Sequence, residues 1–227
     1  MRWKFKLHKK YLSSKRHFEI NVDVQSKAEN LVLFGPSGSG KTQILKMLSG
    51  LIQPDSGLVQ FNQIDLFNSE SGVNLSPQNR GLAYVFQEYA LFPHLTVLQN
   101  ITFALNKSWF NRAQHQENQM VDDWLDKLQL RAIANQYPHE ISGGQSQRVA
   151  LARALMSQPK ALLLDEPFAS LDDNLRKNLR HELAALQKQI GIPMILITHS
   201  QEDVDALGDE VFHVANGMIV GEPLSSN

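Results

Sequence analysis

Four short apolar runs, at 31–34, 82–86, 161–164 and 194–197, lack the polar and apolar alternation of a strand with one wet face. Runs of this kind are strands buried on both faces, and such strands assemble into a parallel sheet covered on each side. A polar or glycine-rich element follows each run: residues 35–42, then Gln87, then Asp165 with Glu166, then Thr198 with His199. Ligands of open α/β sheets sit beyond the carboxyl ends of the strands, so these four distant elements are expected to converge on one site.

The intervals carry the crossovers. Leu175, Leu179, Leu183, Leu186 and Ile190 form one apolar stripe at helical spacing, which predicts a helix packed back onto the sheet by a right-handed connection. Trp3, Phe5 and Leu7, then Phe18, Ile20, Val22 and Val24, alternate instead, and Asn216-Gly217 divides the stretch 211–220 as a hairpin turn. Residues 106–119 are polar and rich in Asn and Gln, after which Val121, Trp124, Leu125 and Leu128 resume a helical face. The expected fold is α/β. A mostly parallel sheet with an N-terminal antiparallel β layer forms the core from 1–87 and 157–227, and 88–156 is a helical insertion.

Composition sets bounds. The chain has 227 residues, 42% of them hydrophobic, enough for one sizeable core. Its 22 Lys+Arg balance 23 Asp+Glu, which gives no electrostatic reason to expect a nucleic-acid partner. The basic start (Arg2, Lys4, Lys6, Lys9, Lys10, Lys15 and Arg16) reads as the solvated face of a hairpin. With no cysteine, disulfides and thiolate metal sites are excluded. No window approaches the ~20 apolar residues that span a bilayer, and the basic start leads into no signal-peptide core. A cytoplasmic chain is expected, with any membrane role coming through a partner.

Gly35-Pro36-Ser37-Gly38-Ser39-Gly40-Lys41-Thr42 satisfies G-x-x-x-x-G-K-[ST] between a buried strand and a helix expected to begin near Lys41. Its glycines let the backbone curl so that N–H groups face a phosphate, and the helix N-terminus adds positive potential. Lys41 would meet β- and γ-phosphate oxygens, and Thr42 would ligate magnesium. The third buried run drives into Asp165, suited to hold magnesium through water. Glu166 stands one residue further out, placed to polarise a water for in-line attack on the γ-phosphate. These two motifs define a phosphate-loop nucleotide hydrolase or kinase. Ser142 and Gln145, flanking Gly143 and Gly144, read as a capping box opening a helix through Val149, Ala152 and Leu155. From the residues alone this is either a second anion-binding helix N-terminus or a plain cap.

With these motifs in this order, the whole chain resembles the ATP-binding cassette family. Residues 35–42 are similar to its Walker A loop, Gln87 to the Q-loop glutamine, and Ser142 to Gln145 to the signature in its Ile-first form, after Ile141. Residues 162–166 resemble Walker B, 169–172 the D-loop, and His199 the switch histidine. The resemblance implies ATP hydrolysis with Mg2+ by two cassettes paired head to tail as a homodimer. Nucleotide held by 35–42 and Gln43 of one copy would be completed by Ser142, Gly143, Gly144 and Gln145 of the other. It further implies magnesium ligands Thr42, Gln87 and Asp165, a catalytic set of Glu166, His199, Gln87 and Lys41, and adenine stacked on Tyr11 with Phe18 in the core. Three positions depart from the family pattern: the D-loop hydroxyl sits at Ser170, one place late; Ser146 replaces a frequent basic residue; and Asn62-Gln63 replaces a frequent Asn-Gly turn.

The stretch 80–100 resembles bacterial importer cassettes of the molybdate, sulfate and maltose group, and 72–77 adds similarity to the molybdate branch. The resemblance implies a cassette peripheral on the inner face of the cell membrane, serving integral membrane permease subunits and a periplasmic or surface solute-binding protein. An oxyanion would be the solute. The permease is expected to dock on 87–140, with Tyr89, Phe92 and Trp109 as exposed anchors. Two alternatives are a soluble non-transport cassette and a small-molecule kinase. The first should carry two cassettes, a coiled-coil insertion or a basic face, and the second has no use for 142–145 or His199.

Overall fold

The structure, a computed structural model, describes residues 1–13, 16–105, 119–169 and 171–225. The buried runs form β3 (Asn30–Phe34), β7 (Leu82–Val85), β8 (Ala161–Asp165) and β9 (Met194–Thr198), hydrogen-bonded in parallel in the order β3-β9-β8-β7. Successive side chains leave opposite faces of a strand. Leu31 and Leu33 therefore enter one core with Ala161, Leu163, Ile195 and Ile197, while Val32, Leu162, Leu164, Met194 and Leu196 enter the other. Burial on both sides explains the missing alternation.

The first core is closed by α1 (Lys41–Ser49) and by antiparallel strands β1 (Trp3–Ser13), β2 (Arg16–Ser26) and β4 (Ser56–Phe61). Trp3, Phe5 and Leu7 are fully buried beneath them, the intervening Lys6 faces water beside Asp23, and Lys9, next in the buried row, pairs with Asp55. Strands β5 (Ile64–Asn68) and β6 (Val73–Asn74) extend this edge. The hairpin β10 (Glu210–Ala215) and β11 (Met218–Ser225) lies between β3 and β2 and joins the two sheet regions into one. The second core lies under α2 (Val97–Thr102), α3 (Gln119–Lys127), α4 (Gly143–Met156) and α5 (Asp173–Ile190), with α6 (Gln201–Leu207) at its margin. The apolar stripe of α5 packs as its spacing predicts, Leu179, Leu183 and Leu186 buried. The Asn- and Gln-rich segment 106–118 lies outside the described residues.

Two features fix the start and end of α1. Gly40 precedes it at φ 103, a conformation that a side chain would strain. At the other end the buried Arg80 donates from Nη1 to the carbonyls of Met47 and Leu48, each at 2.8 Å, placing a cation at the negative end of the helix.

The β4–β5 turn shows the local effect of a departure from the family pattern. Asn62 (φ 48) and Gln63 (φ 66) both adopt the left-handed conformation of a two-residue hairpin turn. Left-handed backbone costs a residue with a side chain about 1–2 kcal/mol, and glycine's extra unfolded-state freedom returns about 0.5–1 kcal/mol of that. Gln63→Gly should therefore raise stability by about 0.5 kcal/mol, read as a higher urea midpoint at unchanged slope. A lower midpoint would mean that the Gln63 side chain contributes more than its backbone costs.

Candidate functional site

The carboxyl ends of β3, β8 and β9 deliver their side chains to one place. Beyond β3 the loop 35–40 curls into α1. Gly35 passes so close to β10 that a Cβ there would stand 2.1 Å from the Val214 carbonyl oxygen, and the Gly217 N–H donates to the Ser39 carbonyl at 2.9 Å. The loop is thus braced by the C-terminal hairpin, contact that Gly35 alone among side-chain choices permits. Lys41, only 3% exposed, donates from Nζ to the Gly35 and Pro36 carbonyls at 2.7 and 2.9 Å. Burial holds its pKa below the ordinary lysine range, opposed by the neighbouring charges of Glu166 and Asp165.

Asp165 ends β8 with both carboxylate oxygens engaged. Thr42 donates from Oγ1 to Oδ1 at 2.9 Å, and Tyr84 donates its hydroxyl to Oδ2 at 2.6 Å. Burial, with the Asp165 charge beside it, pushes the Tyr84 hydroxyl well above the usual tyrosine range, so it stays a donor. Glu166 then breaks out of the strand at φ 45, a left-handed turn pinned by its N–H on Ile197 O and its own carbonyl accepting from Ala169 N–H. The turn aims its side chain between two partners: Oε1 lies 4.0 Å from Lys41 Nζ, and Oε2 accepts from His199 Nδ1 at 3.1 Å. The residue before His199 is anchored at the end of β9. Thr198 donates to Asp203 Oδ2 at 2.6 Å, and the buried Arg180 donates to Asp203 Oδ1 at 2.7 Å.

An open cleft of about 520 Å³ runs over this group, lined by Phe18, Ser37, Gly38, Gly40, Lys41, Thr42, Gln43, Gln87 and Glu166. Its aromatic wall is Phe18, whose ring would stand 3.0 Å from a Cβ at Gly40. Phe18, expected in the core, packs against it and also borders the cleft. Tyr11 and Phe18 are cross-strand partners and share a face, but Tyr11 donates its hydroxyl to Gln43 Oε1 at 2.9 Å and does not line the cleft. Gln87 does line it and is exposed.

Ser142 to Gln145 lie elsewhere. Ser142 caps α4, with its N–H donating to Gln145 Oε1 at 2.8 Å and the Gln145 N–H donating to Ser142 Oγ at 3.3 Å. Ser142 and Gly143 are exposed, Gly144 is buried under Leu175 and Leu179 of α5, and none of the four lines the cleft. At this end the first-turn N–H groups of Gly143 and Gly144 have no carbonyl one turn back to receive them. In the D-loop stretch, Asp172 caps α5 by accepting from Leu175 N–H at 3.0 Å, and Ser170 lies outside the described residues. Of the proposed docking aromatics, Tyr89 is 7% exposed, with its hydroxyl donating toward Pro167 O at 3.4 Å. A left-handed turn (φ 61) rotates that ring into the second core rather than out to solvent. Phe92 is half-buried against Phe103, and Trp109 lies outside the described residues.

The model of the ABC transporter family matches residues 19–169. The chain belongs to this family. The sulfate/thiosulfate import ATP-binding protein CysA 2 of Agrobacterium fabrum is 43% identical to it over 202 residues, 89% of this chain and 57% of that protein. The spermidine/putrescine import ATP-binding protein PotA of Nitrosomonas europaea is 40% identical over 206 residues, 90% of this chain and 55% of that one. The chain thus spans little more than half the length of these curated relatives. Among solved structures, the ATP-binding cassette MJ0796, a dimer in a post-hydrolysis state bound to ADP and Pi, superposes with a TM-score of 0.80 at 25% identity, covering 99% of this chain and 98% of that one. The cassette cbiO1 of Clostridium perfringens, part of the transporter complex cbiONQ, gives 0.78 at 26% identity over 97% and 88%.

The cassette's residues fit a magnesium nucleotide. Magnesium takes one or two carboxylates and completes its shell with phosphates and water. Thr42, which lines the cleft, and the buried Asp165 present such a pair of oxygens, Oγ1 and Oδ1, 2.9 Å apart. No group of three or more His, Asp or Glu side chains converges among the described residues, so the remaining ligands would come with the substrate.

Proposed function

We propose that this chain is the ATP-hydrolysing subunit of an ABC importer, working as a head-to-tail dimer with two composite sites. The observation that carries the reading is the separation of the cleft from the exposed cap at Ser142: one chain holds a phosphate loop and an exposed helix N-terminus that do not meet. Two copies related by a twofold axis can complete each other's sites.

In this reading the N–H groups of the loop 35–40, with Lys41, hold the triphosphate, and Gln43 lies beside it. Phe18 rather than Tyr11 stacks the adenine, because it is the ring on the cleft wall. Thr42 and Asp165, with Gln87 beside them, would hold a magnesium ion, which would supply positive charge to the phosphates. Glu166 orients and deprotonates the attacking water. His199, fixed through Thr198, Asp203 and Arg180, holds Glu166 and the γ-phosphate in register. The partner's Gly143 and Gly144 N–H groups and its Ser142 hydroxyl close over the γ-phosphate from the other side.

Membrane permease subunits would dock on the stretch 87–140, of which 106–118 lies outside the described residues, and a solute-binding protein would supply them. No helix among the described residues is long and apolar enough to cross a membrane, so such a cassette would sit on the inner face through its permease. The relatives do not single out an oxyanion. Sulfate importers support an oxyanion, yet polyamine importers match at nearly the same identity, as expected when the solute touches only the permease and binding protein.

Mixing two inactive variants tests the composite site. Ser142→Arg keeps its own phosphate loop, and Lys41→Ala keeps its own cap, so a heterodimer contains one intact site. Each variant alone should be inactive. A 1:1 mixture should recover about a quarter of the wild-type ATPase rate if the two sites act independently. Detected heterodimers with no recovered activity would place catalysis within one chain.

A further inference from the structure

The turn that follows Gln87 is strained, and the group restraining it comes from α4. Tyr89 (φ 61) and Ala90 (φ 46) are consecutive left-handed residues, neither of them glycine. Each such residue costs on the order of 1 kcal/mol and persists only where its surroundings over-determine it. Arg153, in the last turn of α4, supplies that determination. Its Nη2 donates to Tyr89 O at 2.7 Å, its Nη1 donates to Ala90 O at 2.8 Å, and its guanidinium lies 5.3 Å over the Phe92 ring. Among the described residues Arg153 makes no ion pair with a carboxylate. Its charge faces two backbone carbonyls and a ring, and burial presses its pKa downward. The rigid fork of arginine matches two adjacent carbonyls, which a lysine ammonium on a flexible stem does not.

From this clamp we propose that Arg153 is a positioning residue for Gln87, tying the turn at 88–90 to α4 so that Gln87 and the Ser142 end of that helix move as one body. The proposal rests on Gln87 and Ser142 acting in hydrolysis as described above. Arg153 touches no substrate. It makes the cleft side chain that faces the nucleotide and the cap that faces the partner's nucleotide ends of a single lever. Nucleotide contact at either end then biases both, which is how one two-state element links two sites.

Two measurements test this, one of them independent of activity. The chain has no cysteine, so spin labels at Glu88→Cys and Ser146→Cys report the separation of the turn from α4. In the Arg153-containing protein the distance should be narrow and unchanged by ATP. With Arg153→Lys or Arg153→Met it should broaden or become nucleotide-dependent. An unchanged distribution in both variants overturns the proposal, whatever happens to hydrolysis. The second measurement is a cycle with Gln87→Ala. Arg153→Lys should lower kcat about tenfold, less than the roughly 10²-fold that a 1 Å misplacement can cost, with the KM for ATP changed less than twofold. In the Gln87→Ala background it should lower kcat no further. Equal loss in both backgrounds marks a structural role only and also overturns the proposal. If the distances respond as expected but Gln87→Ala hydrolyses like wild type, the positioning stands and the catalytic reading of Gln87 is what fails.

Discussion

Glu166→Gln is expected to lower kcat for ATP hydrolysis by about 10²–10⁴-fold, the usual contribution of a positioned general base, while leaving nucleotide binding intact. The amide keeps the shape of the side chain and can still accept from His199 Nδ1, now 3.1 Å from Glu166 Oε2. What it loses is the basicity needed to take a proton from water. Lys41 lies 4.0 Å from the other oxygen, and removing that negative charge frees the ammonium for phosphate, so affinity should hold or tighten. Glutamine also accepts the same φ 45 turn about as well as glutamate, so stability should change by less than about 0.5 kcal/mol. Single-turnover hydrolysis, nucleotide titration and light scattering separate the effects. The variant should accumulate an ATP-bound dimer that the wild type passes through quickly. Hydrolysis at the wild-type rate would show that another group activates water, and a parallel loss of affinity would place Glu166 in binding rather than chemistry.

Much of this arrangement was legible in the sequence because the features concerned are local. A strand buried on both faces cannot alternate, so β3, β7, β8 and β9 announced themselves, and each handed its polar successor to the same edge of the sheet. The box of Ser142 and Gln145 involves residues three apart, so its geometry needed no knowledge of the fold. The Asn216-Gly217 turn and the alternation of β1 and β2 are local for the same reason.

What escaped depends on partners distant in sequence or on backbone twists that periodicity does not report. Tyr84 and Asp165 meet only because β7 and β8 are adjacent strands. The available signal was a hydroxyl inside an otherwise apolar run, which must find a partner when buried. Arg180, Asp203 and Thr198 come from α5, α6 and β9, and only the packing of those elements shows that they steady His199. The alternation of the N-terminal hairpin put Tyr11 and Phe18 on one face but could not say which ring borders the phosphate loop. That depends on how far along β2 the loop approaches. Tyr89 was misread as exposed because two left-handed residues invert the direction of a side chain. The insertion of β10 and β11 between β2 and β3, which braces Ser39 through Gly217, is a matter of strand order and leaves no local trace.

The second large effect is expected at Lys41. Its ammonium is satisfied by the loop itself, on Gly35 O and Pro36 O, and lies 3.5 Å from Ser39 Oγ. A triphosphate must draw it off two neutral carbonyls and onto anionic oxygens, an exchange of ordinary hydrogen bonds for charge-assisted ones. Hydrogen bonds to charged groups contribute about 1.5–3 kcal/mol each. Losing contacts to a β- and a γ-oxygen should weaken Mg-ATP binding by about 10²–10⁴-fold. Lys41→Ala should do this without unfolding the chain, because water can reach the two carbonyls through the open cleft once the side chain is gone, at a cost of about 1–2 kcal/mol. Titration with a fluorescent ATP analogue, beside a urea unfolding curve, distinguishes lost affinity from lost fold. Lys41→Arg is the informative companion. It keeps the charge, but its planar fork cannot follow the path between the loop carbonyls and Glu166 that a slender ammonium takes, so it should recover little of the affinity. If Lys41→Ala binds Mg-ATP within about threefold of wild type, a difference under about 0.7 kcal/mol, the phosphates do not lie on this loop and the assignment of the cleft fails with it.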